Sequence, residues 1–359
     1  MKPIVLGKKT AQYPLLQGGM GVGVSMHSLA GHVSKAGGIG VLSTADIGYR
    51  DPEFFRDPLA SNLRAIGEEL KKARAIAGPN KIIGANVMVA LKHYDAIVKE
   101  CVRAKVDLII SGAGIPLKLP AFVKGTQTKI APIVSSLRCL KLIVKQWKKK
   151  YDYTPDLVVI EGPQAGGHLG FSWESLKNGS VQSLEEITRE IVPFVRDLEK
   201  TEGTTIPVIC AGGIWDRADV LRMEALGADG VQIATRLIAT EECDASLAMK
   251  EAYVRATADD ISLIHSPVGM PGRAIKNAFL EKVAAGHIPI YNCARCIHTC
   301  NPSETPYCIT QALTNAVKGD IANGLFFCGT NVDKIDHIGH VNEIIEELMA
   351  TPASMDKPA

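Results

Sequence analysis

Eight short apolar runs alternate with longer amphipathic stretches over the first 260 residues of this 359-residue chain. The runs are rich in β-branched residues and predict buried strands, while the stretches between them carry apolar residues at helical spacing. Eight strands that are each followed by a helix predict an α/β fold, the (β/α)8 TIM barrel. A doubly wound parallel sheet is the alternative, because it alternates strands and helices in the same way. The predicted strands are 14–17, 38–42, 81–87, 106–111, 129–134, 156–161, 206–211 and 230–234.

Local signals mark several helix ends. Ser183 and Glu186 have the capping-box spacing, which predicts a helix that starts there and runs toward residue 199, with Pro193 expected to kink it. Gly78 and Pro79 predict the end of the long second helix. The predicted helices are 28–36, 60–76, 94–103, 137–149, 183–199, 217–226 and 245–256.

The alternation stops near residue 261, and this predicts two parts. Residues 1–260 are expected to form the barrel. Residues 261–359 are expected to form an appended helical and loop segment that packs on the barrel and faces the substrate.

Composition excludes several classes of protein. The net charge is +2 and aromatic residues make up 5% of the chain, which argues against a nucleic-acid surface. The basic run 148–150 is interpreted as the solvated end of a helix. No apolar run reaches the length of a membrane span, and the first residues lack the apolar centre of a signal peptide. We therefore expect a soluble, cytoplasmic protein that acts on a small molecule, with neither nucleic acid nor membrane as partner. A homodimer is one of the assemblies left open.

The residues that directly follow each predicted strand, here called its exit, are small and often glycine. In a barrel, chemistry collects at the carboxyl ends of the strands, so these exits predict an open bowl that accepts a flat ligand. Gly18, Gly19 and Met20 follow the first strand and are expected to lie against a ring system. Gln17 and Asn86 are candidates for hydrogen bonds to the edge of that ring, and they could equally cap the sheet.

A single histidine follows the sixth strand. Glu161 ends that strand, and Gly166, Gly167 and Gly170 flank His168. A lone histidine often only satisfies a backbone group, but no packing argument calls for so many glycines beside an imidazole. His168 is therefore the predicted catalytic residue, with Glu161 and Gly167 beside the cofactor.

The exits of the seventh and eighth strands predict a phosphate site, which is common at this position of the fold. Ala211, Gly212 and Gly213 can point backbone N–H groups at an anion, and the helix that begins at Arg217 would add its positive end. Ala234 and Thr235 follow the last strand. The glycines of 18–23 do not fit the dinucleotide pattern G-x-G-x-x-G, so one phosphate site in a glycine-lined bowl suggests a mononucleotide, with FMN as the natural candidate.

Four cysteines crowd into one stretch of the appended segment. Their spacing, C-x2-C-x3-C-x7-C, predicts metal ligands that could hold a [4Fe–4S] cluster. Structural zinc is the next option, and reduced thiols without a metal are the alternative. The cysteines are Cys293, Cys296, Cys300 and Cys308.

Arg273 lies in the turn-rich stretch 266–273 that precedes these cysteines. The stretch is expected to be a substrate-side loop, in which Arg273 would bind an anionic group. A surface arginine in a turn is the simpler alternative.

Taken together, the motifs resemble the nitronate monooxygenase family, formerly called 2-nitropropane dioxygenases, which also contains the flavin-dependent enoyl-ACP reductases. The matches run through nearly the whole chain, and the most specific are Gly-Gly-His-x-Gly at 166–170 and Gly-Ala-Asp-Gly-Val at 227–231. The resemblance implies FMN on a TIM barrel, with phosphate held by Gly212, Gly213, Ala234 and Thr235 and with His168 facing flavin and substrate. Ala234 departs from the glycine that the family usually has there.

Three functions follow as expectations. The first is an FMN-dependent oxidoreductase that oxidises nitronates or uses NAD(P)H. The second is an NAD(P)H-dependent reductase of enoyl thioesters or other alkenes, to which an iron–sulfur cluster could deliver electrons. The third is a phosphate-binding barrel without redox activity.

Overall fold

The eight predicted strand regions all form parallel strands in the computed structural model, which describes residues 1–349. Five further short strands lie outside the barrel sheet. The strands are β1 (Ile4–Leu6), β2 (Lys9–Ala11), β3 (Leu15–Gln17), β4 (Gly40–Ser43), β5 (Ile83–Met88), β6 (Leu108–Gly112), β7 (Lys129–Val134), β8 (Val158–Glu161), β9 (Gly167–His168), β10 (Val208–Ala211), β11 (Gly230–Ile233), β12 (Ile261–His265) and β13 (Pro271–Ile275).

The barrel strands follow one another around the sheet in the order β3, β11, β10, β8, β7, β6, β5 and β4. A parallel bridge between Leu16 and Ile39 joins the two ends of this order. The N–H of Gln17 donates to the carbonyl of Ile39 at 3.0 Å, and the N–H of Ile39 donates to the carbonyl of Leu15 at 2.8 Å. The sheet therefore closes on itself, which confirms the TIM barrel and rules out the open doubly wound sheet.

The amino-terminal hairpin plugs one end of the barrel. Strands β1 and β2 pair in antiparallel fashion, and their side chains Ile4, Leu6 and Ala11 are buried in one cluster with barrel-interior residues such as Leu16 and Ile110. Apolar side chains thus fill the barrel from that end, and the polar chemistry is left to the opposite end.

The predicted helices are all present. Ser183 and Glu186 form the predicted capping box, and Pro193 lies inside a helix that continues past it to Glu202. The helices are α1 (His27–Lys35), α2 (Pro58–Ala77), α3 (Tyr94–Arg103), α4 (Pro120–Val123), α5 (Leu137–Tyr151), α6 (Trp173–Asn178), α7 (Leu184–Glu202), α8 (Arg217–Ala225), α9 (Thr235–Ile238), α10 (Leu247–Val254), α11 (Ala278–Ala285), α12 (Ile309–Lys318) and α13 (Val341–Met349).

The appended segment differs from the expectation of helix and loop, because it opens with two strands. Strand β13 pairs with β12 on one side and with β9 on the other, all antiparallel. The segment also shares one hydrophobic core with the barrel, to which it contributes Leu325, Phe326 and Val341. The boundary at residue 261 stays a prediction.

Within residues 1–349, no helix combines the length and the apolar character needed to cross a membrane.

Candidate active site

A cavity of about 420 Å³ lies at the carboxyl ends of the barrel strands. This volume is within the range of small-molecule sites. The predicted catalytic residue and every predicted cofactor residue except Gln17 lie along its wall. They are Gly18, Gly19, Met20, Asn86, Glu161, Gly167, His168, Ala211, Gly212, Gly213, Ala234 and Thr235.

Gln17 does not line this cavity. Its side-chain amide donates to Ser25 Oγ at 2.8 Å and to the carbonyl of Val41 at 3.0 Å, and its Oε1 accepts from the N–H of Val41 at 3.1 Å. The predicted contact with a cofactor ring is therefore wrong. The sequence also suggested that Gln17 could cap the sheet. This alternative describes its role, because all of its side-chain polar atoms form hydrogen bonds within the barrel wall.

His168 is held by the appended segment. Strand β13 pairs with the backbone of the His168 loop, with Gly272 opposite His168. The imidazole Nε2 lies 2.7 Å from Ser266 Oγ, and the ring of Phe327 meets it edge-on at 5.0 Å between centroids. One backbone pairing and two contacts to the ring thus hold His168, all from residues about 100 or more positions later in the chain.

The electrostatics of the site favour uncharged groups. Burial lowers the pKa of His168 to about 4, so its imidazole is neutral at pH 7. Burial also raises the pKa of Glu161 to about 8, against a smaller opposing effect of the Gly170 N–H. At neutral pH His168 therefore presents a neutral imidazole to the cavity and Glu161 a largely protonated carboxyl group.

Gly212 and Gly213 form the predicted phosphate turn. Both have positive φ angles, +91° and +95°. A Cβ on Gly212 would lie 2.9 Å from the carbonyl oxygen of Gly162, and one on Gly213 would lie 2.1 Å from Gln164 Oε1. Only glycine satisfies both the backbone conformation and the close approach.

The helix that begins at Arg217 does not leave its positive end free, contrary to the expectation. Asp216 caps α8 by accepting from the N–H of Asp219 at 3.0 Å, and Asp219 in turn accepts from the N–H of Trp215 at 2.7 Å. Two carboxylates of the chain already occupy this helix end, so an anion would be held by the glycine turn and the exit of β11 instead.

The exit of β11 is joined to the end of the appended segment. Thr235 follows Ala234 at the start of the short α9, and its Oγ1 accepts from the N–H of Gly329 at 2.8 Å. The hydroxyl hydrogen of Thr235 remains available to donate toward the cavity. The methyl of Ala234 stands beside Gly18, where an added Cβ would approach it to 2.9 Å.

Arg273 does not face a ligand. Its guanidinium is buried and donates to the carbonyl oxygens of Pro163 and Ala165 in the loop between β8 and β9. The expectation that Arg273 binds an anionic group of the substrate is wrong, because these two carbonyls of the chain use its Nη1. Its role is to hold the loop that carries His168.

The four clustered cysteines are not arranged as a metal site. Within residues 1–349, no three His, Cys, Asp or Glu side chains are grouped so that they could hold a metal ion. Cys293 is exposed, Cys296 lines the cavity and accepts from Thr310 Oγ1 at 3.0 Å, and Cys308 is the N-cap residue of α12. Burial raises the pKa of the thiols of Cys296, Cys300 and Cys308.

Several residues of the site were missed from the sequence. Phe327 touches His168, and Gly329, Thr330 and Asn331 line the cavity near the glycine turn. Ser266, which also touches His168, belongs to the stretch 266–273 that was expected to be a substrate-side loop. The signal that could have found Gly329, Thr330 and Asn331 is an apolar run, 325–328, that exits into Gly-Thr-Asn. The barrel strands show the same pattern, but the run lies in the part of the chain where the alternation had ended.

The fold and the cavity define a barrel enzyme that binds a small molecule at the carboxyl ends of its strands. The chain belongs to the nitronate monooxygenase family, whose sequence model matches residues 2–351, and it is an oxidoreductase. A protein of Staphylococcus saprophyticus described as "probable nitronate monooxygenase" is 26% identical over 349 residues, covering 89% of this chain and 87% of the relative.

Solved structures show the same architecture. FabK from Thermotoga maritima has a TM-score of 0.69 and 27% identity, covering 94% of this chain and 91% of that chain. The nitroalkane oxidase from Streptomyces ansochromogenes has a TM-score of 0.71 at 20% identity, covering 95% and 96%, which supports the fold alone.

Proposed function

We propose that the chain is an FMN-dependent oxidoreductase of the nitronate monooxygenase type, which oxidises nitronates in the cavity at the barrel mouth. One observation carries the proposal. A neutral imidazole, held by Ser266 and Phe327, borders a cavity with glycine backbone in its wall on either side of the imidazole and at the predicted phosphate turn.

The residues of the cavity fit FMN. A Cβ added to Gly167 would meet no atom within 4 Å, so the backbone beside His168 borders open space that a flat ring could fill. Gly212, Gly213 and Thr235 would hold the phosphate, and the stretch 18–20 would lie along the ring. FMN would supply the electron-transfer chemistry that amino-acid side chains lack.

His168 would bind the reacting group of the substrate. A nitronate is an anion, and negative charge beside the imidazole raises its pKa from the low value set by burial. The ring can then hold a proton at the nitrogen nearest the nitronate oxygen and orient the substrate through that hydrogen bond. Protonated Glu161 would favour this binding, because a neutral carboxyl group does not repel the negative charge of the nitronate.

NAD(P)H is the proposed reductant wherever the substrate does not itself deliver electrons. The predicted [4Fe–4S] cluster has no part in the proposal, because the cysteines of the segment are not grouped around a common metal position within residues 1–349.

Anaerobic purification followed by turnover assays tests this function. We expect a yellow protein that releases FMN on denaturation, and nitronate consumption with oxygen uptake after air is admitted. A colourless protein without bound or bindable flavin would refute both redox functions and favour a phosphate-binding barrel without redox activity.

A second candidate is an NAD(P)H-dependent reductase of enoyl thioesters. The likeness to FabK favours it, and so does the apolar part of the cavity wall, which includes Leu91, Ile297, Ile309 and Leu313 and could accept an acyl chain. Anaerobic NAD(P)H oxidation that is stimulated by an enoyl thioester, without turnover of nitronates, would establish this candidate in place of the first.

A further inference from the structure

A short stretch of the appended segment joins the two ends of the site. This stretch, residues 327–331, begins with Phe327 against the ring of His168 and continues to the two loops predicted to bind phosphate. The N–H of Gly329 donates to Thr235 Oγ1 at 2.8 Å, and Asn331 Nδ2 donates to the carbonyl of Gly213 at 3.1 Å. The stretch is thus hydrogen-bonded to the exits of both β10 and β11.

Thr330 lies between these two attachments with an unused hydroxyl. Its backbone N–H donates to the carbonyl of Gln164 at 3.2 Å, which fixes the residue in the cavity wall. Its Oγ1 is buried and has no hydrogen-bond partner within residues 1–349. Buried polar atoms almost always have a partner, so an exception at the edge of a ligand cavity points to a group that the ligand supplies.

The identity of that group follows from the neighbours of Thr330. The residues on either side of it bind to Thr235 and to the glycine turn, which offer a hydroxyl and backbone amides, the donors that oxyanions prefer. Thr330 would add one more O–H donor of the same kind. Its hydroxyl has no partner within residues 1–349 and is free to donate, which matches the requirement of an anion for several converging donors.

We propose that Thr330 is a ligand of the cofactor phosphate and that residues 327–331 form a clamp that closes the phosphate site from the side opposite the barrel strands. The inference rests on the FMN of the proposed function, but not on the substrate.

Binding measurements on purified, FMN-free protein test the clamp. FMN and riboflavin are titrated by flavin fluorescence against the wild type, Thr330→Val, Thr330→Ser and Thr314→Val. Riboflavin shares the ring and ribityl chain of FMN but lacks the phosphate. Thr314 is the matched control, because its Oγ1 is also buried without a partner within residues 1–349 but the residue does not line the cavity.

We expect Thr330→Val to weaken FMN binding by about ten- to a hundredfold, as for the loss of a hydrogen bond to a charged group. Its affinity for riboflavin should stay that of the wild type. Thr330→Ser should retain FMN binding, and Thr314→Val should change neither affinity. Without FMN, Thr330→Val should melt at or above the wild-type temperature, because it removes an unpaired buried hydroxyl.

Equal FMN affinity in the wild type and Thr330→Val would overturn the proposal, and so would an equal loss of FMN and riboflavin, which would place the contact on the ring or ribityl chain. If Thr330→Val fails to fold, Thr330→Ala replaces it in the same comparison. A wild type that binds FMN but oxidises no nitronate would refute the proposed function and leave the clamp standing. A wild type that binds no FMN would refute both.

Discussion

His168 is a neutral side chain in a site that is proposed to bind an anion, and its removal gives the most direct test of the chemistry. We expect His168→Ala to keep FMN binding, because the ring contacts Ser266 and Phe327 and not the glycine turn. Its kcat should fall by about two to four decades, the usual size of an acid–base contribution. The exposed His287 provides the control, since His287→Ala should not change turnover. Unchanged kcat in His168→Ala would remove the imidazole from the mechanism.

Glu161 makes stability depend on pH. Its pKa is raised by burial from 4.5 to about 8, so the folded protein binds this proton more tightly than the unfolded chain does. Its contribution to the free energy of unfolding is therefore fully present below pH 4.5, falls as pH rises toward about 8, and is constant above that. We expect chemical denaturation of the FMN-free protein to show this decline, and Glu161→Gln to lack it.

The matched control is Glu68→Gln, which alters an exposed carboxylate of α2. It should follow the wild-type curve. If the curves of Glu161→Gln and the wild type run parallel between pH 4.5 and 8, the carboxyl group is not held protonated by the fold.

At the scale of elements, the loop between β8 and β9 depends on Arg273. The guanidinium satisfies two carbonyls of that loop, so Arg273→Met leaves both without their partner. We expect the free energy of unfolding to drop by about 1–3 kcal/mol and kcat to fall, because His168 lies at the end of the same loop. Arg255→Met removes an exposed arginine whose ion pair within residues 1–349 is with Glu251, and it should change neither quantity. A loss of kcat at full stability would instead point to direct contact of Arg273 with a ligand.

Sequence reasoning succeeded for elements with local signals and failed for elements made by distant partners. The barrel strands carry dense apolar runs, and the capping box of α7 lies within four residues, so both are readable locally. Strand β9 has two residues, Gly167 and His168, and exists only because β13 pairs with it. No local pattern encodes that pairing, which is why the appended segment was expected to contain no strands.

At the scale of the whole molecule, the rule that barrel chemistry collects at the carboxyl ends of strands predicted which residues share a cavity. It could not predict which polar side chains face inward. Gln17 and Arg273 are polar residues in stretches predicted to bind a ligand. In the structure Gln17 instead forms hydrogen bonds within the barrel wall, and Arg273 forms them with the β8–β9 loop. The clustered cysteines likewise match a metal-binding spacing, but within residues 1–349 no three potential ligand side chains are grouped so that they could hold a metal ion, which spacing alone does not reveal.

The hairpin of β1 and β2 fills the amino-terminal end of the barrel with Ile4, Leu6 and Ala11. Reactants must then enter and leave through the opening at the other end of the barrel, where the flavin is proposed to lie. An electron donor and an electron acceptor that enter through the same opening compete for the same space. The reductive and oxidative half-reactions of the catalytic cycle would therefore alternate.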